Sequence, residues 1–148
     1  MIAVVQRVSS ATVTTDGYRA TIGPGLLVLV GVERGDGAGD VDYLARKIRD
    51  LRLFANADKE FDRSVQEVGG EVMVVSQFTL AADCRKGRRP SFDAAAPPEE
   101  ARPLYEAVVR ALEDAGLTVA TGVFQADMRV SLVNDGPVTV LLDSRRSV

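Results

Sequence analysis

Leu26-Leu27-Val28-Leu29-Val30 is the stretch that decides the fold. Five apolar residues in succession suit a strand covered on both faces, and therefore the centre of a sheet. Gly23-Pro24-Gly25 ahead of it is a turn, residues 18 to 22 form a short strand, and Asp16-Gly17 is a further turn. Residues 2 to 14 read as another strand with Ile2, Val4 and Val8 on one face, where Gln6 interrupts the apolar row and marks a polar residue with a particular partner.

On the other side of the central run, Asp36 to Asp40 is a Gly/Asp-rich loop, with Asp40 as helix N-cap. Val41, Leu44, Ile48 and Leu51 then share one helical face, and Asp42, Arg46, Arg49 and Asp50 the opposite, solvated one. After a polar connection, Val72-Met73-Val74-Val75 is a second buried strand that ends in Ser76-Gln77-Phe78-Thr79-Leu80. A long loop from Ala81 to Ala96 carries Arg85, Lys86, Arg88 and Arg89. Pro97 and Pro98 open a second helix on Leu104, Val108, Ala111 and Leu112, which Gly116 ends. Met128, Val130 and Leu132 alternate before Asn134-Asp135-Gly136-Pro137, and Val138, Val140 and Leu142 alternate after it. Ser144 to Val148 read as a loose tail. With no repeat and no linker, residues 1–148 are expected to form one α+β or barrel-like domain.

Composition narrows the chemistry. A chain of 148 residues is about one domain long, and a fold of that size buries roughly 70% of the surface exposed when unfolded. Apolar residues at 46% and charged residues at 26% place it among ordinary globular proteins. Cys84 is alone, so no internal disulfide forms, which is compatible with a reducing compartment. No basic leader or membrane-length apolar segment is seen, and a cytosolic protein without a membrane partner is expected. The net charge of -3 argues against coating nucleic acid through bulk electrostatics, and leaves room for a local basic patch. There is no histidine, which removes Ser-His-Asp and Cys-His catalysis, histidine zinc sites and the usual base near neutral pH. Carboxylates, hydroxyls, amides, main chain, a lysine, a tyrosine or the substrate itself must supply any chemistry.

Three motifs stand out against bland alternatives. Asn134-Asp135-Gly136-Pro137 reads first as a hairpin turn, because Asn, Asp and Gly tolerate the left-handed backbone of tight reversals. The proline is odd there, since it withholds a ladder donor where a return strand should begin. A cis bond, found at about 5 to 6% of X-Pro steps, would turn two successive carbonyls the same way. Ser76-Gln77-Phe78-Thr79 reads either as a frayed strand end capping nearby backbone or as a site. A regular strand would place Ser76 and Phe78 on one face and Gln77 and Thr79 on the other. Main-chain N–H groups leaving the sheet there could form an oxyanion hole, worth about 2.7 to 4 kcal/mol per donor. Arg85, Lys86, Arg88 and Arg89 are either a solvated loop or a local phosphate clamp. Gly35, Gly37 and Gly39 lack a following Gly-Lys-Ser/Thr, Asp36, Asp40 and Asp42 miss calcium-loop spacing, and Asp83 and Cys84 lack metal-ligand companions, so neither metal nor cofactor is expected.

Ser76-Gln77-Phe78-Thr79-Leu80-Ala81-Ala82 together with Asn134-Asp135-Gly136-Pro137-Val138-Thr139 resembles the paired motifs of the D-aminoacyl-tRNA deacylases, and the opening Gln6-Arg7-Val8 is also similar. The resemblance runs from Met1 to about Asp143. It implies an α+β compact single domain with a mainly antiparallel, barrel-like sheet and two principal helices, working as a homodimer with each active site at the subunit interface. It further implies that Gly136-Pro137 is a cis pair reaching into the partner's pocket to hold the substrate's amino group, so that an L side chain meets the wall. Glycine, having no side chain, would be accepted. Arg7 would hold that segment, with Gln6 and Asn134 in support. Phe78 would shape the pocket for the terminal adenosine, Leu80, Ala81 and Ala82 would border the substrate, and Ser76, Gln77 and Thr79 would line the reacting ester. On the family view the substrate's ribose 2′-hydroxyl directs the attacking water, so no protein base is required. Thr79 as a nucleophile finds nothing in the sequence to activate it. The partner implied is aminoacylated tRNA, not DNA. Two other readings are a small-molecule esterase or amidase using the same pocket, and a non-catalytic RNA-binding module built on the basic loop.

Overall fold

The computed structural model describes residues 1–146. The central strand β3 (Gly25–Gly31) lies between β1 (Ile2–Thr15), antiparallel to it, and β6 (Glu71–Ser76), parallel to it. Leu26, Leu27, Val28 and Val30 are buried, and their alternation serves two cores. Leu26, Val28 and Val30 pack with the helices α1 (Ala38–Asp50) and α2 (Pro98–Asp114) through Leu44, Ile48, Tyr105, Val108 and Leu112. Leu27 points the other way, into the curl of the sheet, with Val8, Val13, Ile22, Met73 and Val75.

The first strand is long enough to serve three neighbours. Along one edge it pairs β3 through residues 2–8 and β2 (Tyr18–Ile22) through residues 11–15. Along the other edge it pairs β8 (Arg129–Asp143) over nearly its whole length. The order β2-β1-β3-β6-β7, with β7 (Val119–Thr121) parallel to β6, brings the two ends round towards each other. The Tyr18 hydroxyl on β2 donates to the Thr121 carbonyl on β7 at 2.8 Å across that gap, leaving a nearly closed, barrel-like sheet. A separate hairpin of β4 (Phe54–Asn56) and β5 (Lys59–Arg63) occupies what reads in sequence as a polar connection.

Four local expectations change. Asn134 to Pro137 does not reverse the chain. It lies inside β8, which stays antiparallel to β1 on both sides of it, with Val8 opposite Asn134 and Gln6 opposite Thr139. Residues 135–138 therefore stand opposite Arg7 alone, as an outward bulge. A proline costs no ladder bond at such a place, which removes the oddity seen in the sequence. Helix α1 begins after Gly37, and Asp40 sits at its third position, where its carboxylate accepts from the Gly37 N–H at 2.8 Å. Beyond Ser76 the chain turns into a short 3₁₀ helix, Phe78–Ala81, so strand alternation does not apply from Phe78 onwards. The start of the presumed tail is tied down. Ser144 accepts from the Met1 ammonium at 2.9 Å and donates to Asp40 at 2.6 Å, while Arg145 pairs with the buried Asp36 at 2.9 Å. Residues 147 and 148 lie outside the described residues.

Candidate active site

At the end of β6 the Gln77 N–H completes the sheet by donating to the Val30 carbonyl at 2.8 Å, and the chain then coils. The coil comes very close to β3. A Cβ on Gly31 would lie 2.9 Å from Leu80 Cβ and 3.0 Å from the Gln77 carbonyl oxygen, so only glycine lets the turn sit there. Within the turn, the Leu80 N–H donates to Gln77 and the Ala82 N–H to Thr79. The Phe78 and Thr79 N–H groups open it and have no carbonyl to reach inside it. The Gln77 amide nitrogen donates to the Thr79 hydroxyl at 2.5 Å.

This strand end lines a cavity of about 600 Å³. Ser76, Gln77, Phe78 and Thr79 border it, joined by Phe92, Ala95 and Ala96 from the long loop, Phe124, Gln125 and Ala126 from the turn after β7, and Met128 and Val130 leading into β8. Phe78, 57% exposed, meets Phe92 edge to face with ring centres 5.2 Å apart. Phe124 has the Arg102 guanidinium 4.6 Å above its ring and Tyr105 beside it. Burial raises the Tyr105 hydroxyl well above the usual phenol range, and it donates to the Val74 carbonyl at 2.8 Å, so it stands as a neutral donor. Among the described residues no carboxylate, lysine or arginine lines the cavity. What it offers is an apolar box edged by hydroxyls, amides and main-chain N–H groups.

Ser76, Gln77, Phe78 and Thr79 are thus brought together, whereas Leu80, Ala81 and Ala82 follow the turn away and do not line the cavity. Phe92, Phe124, Gln125, Ala126 and Met128 were not legible as site residues. They come from irregular segments or strand starts, where no periodicity announces a shared wall.

Gly136 and Pro137 are exposed and do not line this cavity within the one chain. The bond between them is cis. The bulge is braced from below. Arg7 donates to the Asp135 carbonyl at 3.0 Å and to the Leu53 carbonyl at 2.9 Å, with the Asp135 carboxylate 3.8 Å away. Asn134 accepts from the Val138 N–H at 3.1 Å and donates to Thr139 at 3.0 Å, which also accepts from Gln6 at 3.3 Å. Arg7, Gln6 and Asn134 therefore hold the loop in one shape while leaving Gly136 and Pro137 bare.

The basic loop divides. Asp83 and Ser91 exchange main-chain hydrogen bonds at 2.8 and 2.9 Å, closing its root. Arg85 is engaged by the Asp83 carboxylate at 2.9 and 2.8 Å, and that pairing holds Asp83 down at about 2. Lys86, Arg88 and Arg89 are exposed, and among the described residues they form no ion pair.

Fold and pocket together define a small mixed-sheet barrel whose site works without an ionisable side chain and carries a rigid, exposed main-chain loop elsewhere on its surface. Residues 4–143 match the family model described as D-Tyr-tRNA(Tyr) deacylase, and the chain belongs to that family. A D-aminoacyl-tRNA deacylase of Anaeromyxobacter dehalogenans is 60% identical over 147 residues, covering 99% of each chain. One from Heliobacterium modesticaldum is 58% identical over 146 residues, covering 98% of this chain and 97% of that one. Among solved structures, a c-Myc DNA Unwinding Element Binding Protein superposes with a TM-score of 0.90 at 38% identity over 97% of this chain and 98% of its own. A probable eukaryotic D-amino acid tRNA deacylase gives 0.80 over 95% and 97% at 14% identity, a likeness of fold alone. No helix among the described residues is long and apolar enough to cross a membrane.

Proposed function

We propose that this chain hydrolyses the ester bond of D-aminoacyl-tRNA, and of glycyl-tRNA carrying the wrong amino acid, in the cytoplasm. The observation that carries the reading is a cavity free of titratable side chains at the Ser76 strand end, in a chain alike over its full length to named deacylases. Such a site suits a bond already activated. Water adds to the ester carbonyl, the Phe78 and Thr79 N–H groups receive the developing oxyanion, and the acyl–oxygen bond breaks to leave the free amino acid and the tRNA 3′-hydroxyl. The ribose 2′-hydroxyl of the substrate directs the water, while Ser76, Gln77 and Thr79 fix the ester.

Handedness is sorted by the bulge of a second copy. Gly136 and Pro137 present main-chain carbonyls that accept from the substrate's ammonium group, and an L side chain then collides with the wall. Supporting a homodimer are the far edge of β8, which pairs with nothing among the described residues, and Val133 and Leu141 on that strand, 56% and 59% exposed. Lys86, Arg88 and Arg89 supply the phosphate contacts, with Arg85 shaping their loop through Asp83.

The test is turnover of D-tyrosyl-tRNA beside D-tyrosyl methyl ester, with sedimentation velocity on the same sample. The reading expects a species of twice the chain mass and a kcat/KM at least about 10²-fold higher on the tRNA. Equal turnover of the small ester would make the protein a general esterase. Salt-sensitive tRNA binding without hydrolysis would make it a binding module.

A further inference from the structure

Gln125 has a feature the reaction outlined above does not use. It lies in the turn closed by the Ala126 N–H on the Val123 carbonyl at 3.1 Å, with φ at 65°. That is the left-handed backbone a turn of this kind normally reserves for glycine. Gln125 and Arg146 are the two described residues other than glycine with positive φ, and only Gln125 borders the cavity. Four polar side chains reach that cavity: Ser76, Gln77 and Thr79 belong to the strand end, and Gln125 alone faces them from the β7–β8 turn. Among the described residues its amide has no hydrogen-bond partner, although a carboxamide carries two donors and an acceptor. Its neighbours on the wall are Phe92, Phe124 and Met128, flat or polarisable surfaces on which a heteroaromatic ring stacks. A backbone conformation disfavoured for an L residue, spent on an unpaired amide beside an aromatic box, points to recognition of a planar ligand edge.

We propose that Gln125 is a specificity-determining residue that reads the base edge of the terminal nucleoside, pairing with adjacent donor and acceptor atoms of adenine. This rests on the deacylase reading, which brings a 3′-terminal adenosine to the cavity. The residue touches neither the ester nor the attacking water, so it acts on substrate affinity and not on the chemical step.

The experiment compares wild type with Gln125→Gly, which keeps the turn geometry because glycine accepts a positive φ freely and so melts no lower than wild type. Binding of adenosine and of purine riboside, which lacks the exocyclic amino group, is measured by NMR titration, and KM and kcat are measured on D-tyrosyl-tRNA. Expected are an adenosine preference of about tenfold in wild type that falls below about twofold in the variant, and a KM raised about tenfold with kcat within about twofold. Equal affinity of wild type for the two nucleosides overturns the proposal, as does a preference that survives in Gln125→Gly. Turnover of D-tyrosyl-tRNA with the preference untouched by substitution sinks the assignment of Gln125 alone. The expected preference without turnover sinks the deacylase reading and leaves the assignment standing. A shift of Gln125→Gly towards monomer with unchanged nucleoside binding places the residue between copies and also overturns the proposal.

Discussion

Thr79 accepts a hydrogen bond from Gln77 at 2.5 Å and has no group beside it in the cavity to take its proton. A hydroxyl in that position orients and does not attack. Thr79→Ala is therefore expected to keep kcat on D-tyrosyl-tRNA within about tenfold of wild type, the low end of what one positioned group contributes. A covalent acyl-Thr79 species in rapid-quench mass spectrometry would contradict this. Gly136 is the opposite case. Its φ is 134°, and a Cβ there would lie 2.9 Å from both Arg7 Nη2 and Val138 Cγ2, pressing on the brace that shapes the bulge. Gly136→Ala should lower the D-over-L ratio of kcat/KM by at least about tenfold, a change of about 1.4 kcal/mol in discrimination, while circular dichroism shows a folded chain. An unchanged ratio would remove the bulge from the account of chirality.

Among the elements, helix α1 shows how an end of the barrel is fastened. Asp40 accepts from the Gly37 N–H at 2.8 Å and from the Ser144 hydroxyl at 2.6 Å, and these bonds hold its carboxyl below the usual 3.8. The Ser144 bond is the larger cause. A carboxylate favoured in the folded state contributes fully above its unfolded value, and the contribution fades as pH falls through the lower folded value. Asp40→Ala should cost about 1 to 2 kcal/mol at pH 7, lowering Tm by several degrees, and the gap from wild type should narrow as the melt is repeated below about pH 3.8. A gap constant down to pH 2.5 would show that the charge plays no part. The same scale explains what could be read in advance. Leu26 to Val30, Val72 to Val75 and the apolar faces of both helices were legible because burial on two sides or on one helical stripe leaves its period in the sequence. Asn134-Asp135-Gly136-Pro137 was not. The same residues serve a hairpin or a bulge, and the choice between them is made by Arg7 and β1, 128 residues away in the chain.

Across the whole molecule, the resemblance carried by the strand-end motif, the Asn-Asp-Gly-Pro motif and Gln6-Arg7-Val8 agreed with the family found over residues 4–143. Half of the cavity wall escaped sequence reading because Phe92, Phe124 and Gln125 sit in segments whose paths are set by packing between distant elements. The absence of histidine, legible at once, turns out to describe the cavity as well as the composition, since no acid or base borders it among the described residues. The central claim is that this main-chain machinery sorts amino acids by hand. One tRNA charged in parallel with D-tyrosine and with L-tyrosine tests it most directly. The account predicts release of the D amino acid at a rate on the order of 10²-fold or more above that of the L form, a difference of at least about 2.7 kcal/mol between the two transition states. Equal release of both, or of neither, would contradict it.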